Sequence, residues 1–251
     1  MIALRALVTF AGLVVLWQAL VVATGMPHYL LPAPTRVAQT LWARADILWE
    51  HAQITVLEIV LGLALGVLCG ASCALLLMAS RFARRWMLPV LIASQAIPTF
   101  AIAPLLVLWF GYGLLSKVVM SIIVIFFSVA STFYDGLRRT EPGWLDLART
   151  MSASPWRTLW LVRVPAALPS LATGIRVAAV FAPIGAIIGE WVGASRGLGY
   201  LMLQSNARMQ IDMLFAALLV LAIFGVALYA TVDATLRRLI SWAPDRLPDD
   251  D

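Results

Sequence analysis

Between Trp86 and Tyr134 the chain carries one charged residue, Lys117, and between Met213 and Val232 it carries none. A helix rises about 1.5 Å per residue and the hydrocarbon core of a bilayer is about 30 Å thick, so about 20 such residues cross it. A soluble domain of 251 residues could not bury apolar runs of this length, since 62% of the sequence is hydrophobic, 12% is charged and the mean hydropathy is +0.93. The expected class is therefore all-α and polytopic, because in lipid a helix satisfies its own backbone groups.

Six spans are expected in a single transmembrane domain over residues 1–251, near 6–24, 54–79, 86–110, 115–134, 168–192 and 213–236. The first apolar run, Ala6 to Ala23, is too long for a signal-peptide core and no small-x-small cleavage site follows it, so it reads as a retained helix. Leu31-Pro-Ala-Pro-Thr35 then breaks the chain. Thr35 can cap a new helix in which Val37, Leu41, Ala45 and Leu48 share a face beside Trp42 and Trp49, an interfacial helix over 35–50. In the second span Gly62, Gly66, Gly70 and Ala74 recur every four residues, a ridge of small side chains that lets another helix approach closely. Pro89, Pro98 and Pro104 kink the third span, which must face protein or a pathway where freed carbonyls find partners. Cys69 and Cys73 share a helix face and read as small packing residues.

A net charge of +5 does not point to nucleic acid, because the basic residues lie between the apolar runs instead of forming one stripe. Twelve of the 18 fall at the amino terminus, in alternate loops and at the carboxyl terminus, and five fall in the opposite set, leaving Arg176 to snorkel from the fifth span. By the positive-inside rule that excess puts both termini of a multi-pass membrane protein in the cytoplasm. Asp249 to Asp251 read as a solvated tail.

The longest connection on that side, from Tyr134 to Pro165, implies two short helices over 141–165: one after Pro142, and one with Ser154 as cap and Pro155 at its first position. Such a pair, displayed below the membrane, can dock into a partner's groove. Its residues resemble those of the permeases of ATP-binding-cassette (ABC) importers, whose loop carries Glu-Ala-Ala, three residues, Gly, nine residues and Ile-x-Leu-Pro. Asp146, Leu147 and Ala148 stand for the first three, Ser152 for the glycine, and Val162 to Pro165 for the close. The likeness extends along nearly the whole chain to the branch that imports nitrate, taurine, alkanesulfonates and thiamine-precursor pyrimidines. It is carried by Leu31-Pro-Ala-Pro-Thr35, by Ile97-Pro-Thr-Phe-Ala-Ile-Ala-Pro-Leu-Leu-Val-Leu-Trp-Phe-Gly111, by Ala148-Arg-Thr150 and Pro165-Ala-Ala-Leu-Pro169, and by Gly189-Glu-Trp-Val-Gly193 with Gly197-Leu-Gly-Tyr200.

The resemblance implies the transmembrane fold of type I ABC importers, a second permease copy, two ATPase subunits, an external substrate-binding protein and a surrounding bilayer. Asp146, Leu147, Ala148, Ser152, Ala153, Ser154, Pro155, Val162 and Pro165 would couple to the ATPases. Ser152 departs from the pattern: either the turn there is right-handed, or it is strained. No phosphate loop is present, and Gly111 to Lys117 only superficially imitates one, so this chain is expected to bind no cofactor, with ATP and magnesium held by the ATPases, and to be no enzyme.

Polar groups within the spans are candidates for the path. Ser94, Gln95 and Thr99 flank Pro98 and either line a pathway or bond between helices. Glu190, beside Trp191, gates, meets the binding protein or caps the packing; a carboxylate there would repel an anion and favour a pyrimidine-like heterocycle over nitrate or a sulfonate. Glu58 reads as a charge in the first turns of the second span, where the helix dipole favours it. Asp233 and Arg237 suit an i, i+4 ion pair. His28 and His51 have no paired ligands and read as solvated. A secondary transporter or channel shares the hydropathy but has no use for the loop, and an intramembrane enzyme would need a metal or nucleophile constellation that is not visible.

Overall fold

The computed structural model describes residues 2–242, without the side chains of residues 2–7 and 10. Arg246, the Asp249 to Asp251 tail and the Arg5 side chain lie outside that description.

Eleven α-helices account for the described chain: α1 (Ile2–Thr24), α2 (Pro34–Ala43), α3 (Ala45–Ala79), α4 (Arg81–Ser94), α5 (Thr99–Phe110), α6 (Leu114–Arg138), α7 (Pro142–Thr150), α8 (Pro155–Thr158), α9 (Val164–Gly193), α10 (Leu198–Ala207) and α11 (Ile211–Leu239). Four of the continuous helical stretches, 45–79, 114–138, 155–193 and 211–239, are long and apolar enough to cross a membrane. The pair α4 and α5 forms a fifth candidate span, bent by 104° at its break, and α1 adds a shorter apolar stretch, Ala11–Thr24.

Three sequence expectations are corrected. Thr35 is no cap, because Pro34, with its fixed φ, is already the first helical residue behind an extended Ala33. The 35–50 segment is two elements: Arg44 (φ −124°, ψ 25°) ends α2, and 45–50 begins the long helix that becomes the second span. The third span is a broken pair, not one kinked helix, since Pro98 starts α5 in an extended conformation and the 95–97 turn separates it from α4.

α6 is the centre of the bundle, gripped between two rows of small residues. From α3, Gly62, Gly66, Gly70 and Ala74 are buried against it, and a Cβ added at Gly70 would lie 2.7 Å from the Phe126 carbonyl oxygen. From α9, Gly185 and Gly189 meet it from the other side, where an added Cβ would lie 2.7 Å from Ser121 Cα and 3.0 Å from Lys117 Cα. Close backbone approach of this kind replaces the hydrophobic drive that lipid cannot supply. Ile59, Ile125, Val129, Ala178 and Ala182 fill the core between these rows. Cys69 and Cys73 are free thiols on α3, the first exposed. Arg176 Nε donates to Asp233 Oδ1 at 2.7 Å, fastening α9 to α11, and Arg237 Nε, one turn further along α11, donates to Asp233 Oδ2 at 2.9 Å.

Candidate functional site

The two ends of the bundle carry different chemistry. At one end the connection between α6 and α9 projects as a helix-turn-helix. Pro142 opens α7, and the helix closes with Ala153 N donating to Ala148 O and Ser152 N to Arg149 O, both at 2.9 Å. This pair of bonds is a Schellman closure, which puts the residue after the cap in the left-handed region, and Ser152 sits there with φ 55°. The strained alternative therefore holds: the backbone keeps the conformation that the family pattern's glycine suits, at a cost of about 1–2 kcal/mol for a residue with a Cβ.

Ser154 Oγ accepts from Arg157 N at 3.3 Å and Pro155 takes the first helical position. α8 does not end but passes through a π-helical turn, Leu159–Arg163, into α9. The wide turn precedes Pro165, which has no N–H to give the Leu161 carbonyl. Residues 155–193 are thus one helical rod, about 58 Å long. Val162 is half-buried on this rod and Ala148 is buried on the inner side of α7. Leu147, Met151 and Leu161 are 60%, 74% and 73% exposed around an apolar groove of about 460 Å³. Asp146 only pairs with Arg149 on the same exposed face, at 2.9 Å.

At the far end the polar groups turn inward. Glu190, in the last turn of the rod, is 1% exposed. Its Oε1 accepts from Thr55 Oγ1 at 2.6 Å, and its Oε2 accepts from the amides of Gly199 at 2.5 Å and Tyr200 at 3.3 Å. Thr55 Oγ1 in turn accepts from Leu198 N at 2.7 Å. The amino terminus of α10 is therefore capped by side chains from α9 and α3, and its dipole favours the carboxylate. Gly197 (φ 117°) and Gly199 make room: a Cβ at Gly197 would fall on the Glu190 carboxyl group. His51, expected in solvent, is half-buried. Its Nδ1 lies 2.9 Å from Gly197 N and 3.0 Å from Gly197 O, and the ring stacks on Tyr200 with centroids 6.1 Å apart.

Beside this latch Lys117 Nζ reaches Glu58 Oε1 at 2.8 Å, with side-chain exposures of 7% and 0%. Glu58 is well past the first turn of α3, because that helix starts at Ala45 and not near Ile54, so its partner is a lysine and not the helix dipole. Glu58 also meets the Glu190 carboxyl group, so the two acids and one lysine share the interior at this end. Glu190 thus faces the protein interior. Trp191 next to it points outward at 43% exposure.

Ser94, Gln95 and Thr99 are separate from both ends. They lie at the 104° break between α4 and α5, with Ser94 Oγ donating to the Leu91 carbonyl at 2.7 Å and Gln95 exposed. Thr55, Lys117, His51 and the glycines at 197 and 199 were not marked as site residues by the sequence. The partners of Thr55, Lys117 and His51 lie 59 to 146 residues away, and Gly199 meets Glu190 through its backbone amide, so no side-chain spacing announces them. Among the described residues no group of His, Cys, Asp and Glu could hold a metal ion, and His28 is exposed beside Tyr29.

Residues 62–241 match the family model of the binding-protein-dependent transport system inner membrane component. A probable ABC transporter permease protein of Haemophilus influenzae is 54% identical over 94% of this chain and 97% of its own length. The formylaminopyrimidine transport permease protein ThiX of Halalkalibacterium halodurans is 35% identical over 96% of each chain. The riboflavin transport system permease protein RibX of Chloroflexus aurantiacus is 34% identical over 94% of this chain and 88% of its own. In fold, the chain superposes on a chain of the inward-facing MetNI methionine ABC transporter with a TM-score of 0.62 at 20% identity, over 80% of this chain and 98% of that one. An all-α bundle with this topology, this loop and these relatives belongs to the family of binding-protein-dependent transport inner membrane components, and the chain is the permease subunit of an ABC transporter.

Proposed function

We propose that two copies of this chain form the path by which a small nitrogen heterocycle, a thiamine-precursor pyrimidine or a close analogue, enters the cytoplasm from an external binding protein. The stroke is supplied by two ATPase subunits, which hold ATP and magnesium and seat the α7–α8 loop in their grooves through Asp146 to Pro165. Both termini face the cytoplasm, with the arginine-rich connections on that side.

The observation that supports this mechanism best is the continuous rod over 155–193. One end is the exposed loop and the other holds Glu190, so a push on α8 reaches α10 through a single rigid element. Glu190 then acts as a latch on the outer helix α10, not as a charge lining the path. Its burial withdraws the argument that it repels anions, and the heterocycle now rests on likeness: the two named relatives at 34–35% identity carry a pyrimidine and a flavin in their names. Ser94, Gln95 and Thr99, at the α4–α5 break, are the candidate lining.

The test is ATP hydrolysis and uptake by the reconstituted complex with the binding protein loaded in turn with a pyrimidine, taurine, an alkanesulfonate or nitrate. Stimulation by the pyrimidine-loaded form is expected. Stimulation by an anion-loaded form alone overturns the substrate, and an active transporter that needs no ATPase after residues 146–165 are scrambled overturns the coupling.

A further inference from the structure

A second cavity, of about 420 Å³, opens between the α3–α4 corner and the α7–α8 loop, adjoining the apolar groove at Ala153 and Thr158. Arg81, Arg84, Arg149 and Arg163 line it, and no acidic residue does. Arg163 is the anchored member, since it donates to the Leu137 carbonyl at 2.9 Å; Arg149 shares Asp146 on the exposed side. Arg81 and Arg84 have no carboxylate partner among the described residues, and they occupy the first turn of α4, where the helix dipole is positive and disfavours cations. Four guanidinium groups around one cavity, two of them at the wrong end of a helix, repel one another and favour an anion among them.

The position selects which anion. Ala79 ends the apolar α3, so the cavity lies where the bundle leaves the hydrocarbon. On the same first turns of α4, Phe82 and Trp86 are 74% and 63% exposed, their rings 6.4 Å apart. Exposed aromatic rings beside arginines are the pattern of a segment lying at the bilayer interface, and guanidinium forks match phosphate oxygens.

We infer that the Arg81–Arg84–Arg149–Arg163 cavity binds the phosphate headgroup of an anionic phospholipid, whose acyl chains lie along Phe82 and Trp86. The headgroup bridges the α3–α4 corner to the loop and holds α7 and α8 at a fixed height below the membrane. This site is independent of which solute is carried.

Native mass spectrometry of the detergent-purified full chain, titrated with phosphatidylglycerol and separately with phosphatidylcholine, tests this. Wild-type protein is expected to retain phosphatidylglycerol selectively. Arg81→Gln with Arg84→Gln is expected to weaken that retention about 30-fold, while Arg85→Gln, which does not line the cavity, leaves it within about threefold. Equal retention by the double variant and the wild type overturns the site. Displacement of the lipid by equimolar inorganic phosphate overturns the lipid as the source, and expulsion of the lipid by an added ATPase subunit shows a protein-docking surface instead. Circular dichroism of each variant confirms that the bundle is intact.

Discussion

The two ends of the 155–193 rod are opposites. At the α7–α8 end the apolar side chains of Leu147, Met151 and Leu161 are exposed, Asp146 bonds only to its own helix, and a serine holds a glycine's conformation. At the Glu190 end nearly every polar atom has a partner from another helix of the same chain. A surface left incomplete in one chain is completed by another, whereas a closed network spends its interactions on keeping its own parts in register. The difference separates residues whose loss should unfold the protein from residues whose loss should leave it folded and silent.

The largest effect is expected at the buried pair. Lys117→Ala leaves Glu58 buried beside Glu190 without its cation and should destabilise the chain by about 3–5 kcal/mol, while Glu58→Leu with Lys117→Leu should recover most of that. Thermal unfolding in detergent measures both, and a double variant as unstable as the single would show that the pair carries more than mutual neutralisation. Next comes Gly197→Ala. Its Cβ meets the Glu190 carboxyl group and its φ of 117° is strained for any side chain, so a loss of about 2–4 kcal/mol with release of α10 is expected. Limited proteolysis near residue 197 reads the release; unchanged protection would mean that α10 is held by something other than Glu190.

A smaller effect, of opposite sign, is expected at the loop. Ser152→Gly removes the left-handed cost and should raise stability by about 1 kcal/mol with transport intact, whereas Ser152→Ile, β-branched at φ 55°, should impair transport at equal membrane abundance. Equal uptake by the Ile variant would show that the turn carries no coupling. The smallest effect on stability belongs to the exposed face. Leu147→Asp should change unfolding by less than about 0.5 kcal/mol yet abolish co-purification of the ATPase subunit. A variant that unfolds instead would erase the distinction between the two ends.

Much of the scaffold was legible because it depends on local period. Gly62, Gly66, Gly70 and Ala74 announce their packing by spacing alone, Ser154-Pro155 announces a helix start, and the uncharged runs announce the spans. The latch was not legible. Glu190 stood out as a carboxylate in an apolar helix, but its cap consists of backbone amides whose direction no side-chain pattern records, and the partners of Lys117 and His51 are remote in sequence. Glu58 was misplaced because a helix of 35 residues hides its own beginning: nothing in the 45–53 stretch looks like membrane, yet it continues the span. The fold of α4 against α5 was illegible for another reason, since three prolines predict a disturbance without stating its angle.

The continuity of α8, the π-turn and α9 also limits what the sequence can become. Each residue of a helix turns its successor by about 100°, so one residue inserted or deleted between Pro155 and Glu190 would rotate the carboxylate away from Thr55 and the α10 amides while leaving the loop where it was. Substitutions along that stretch can drift, but its length cannot. Among related chains the count from the helix-opening proline to this glutamate should therefore hold more firmly than the identity of most residues between them.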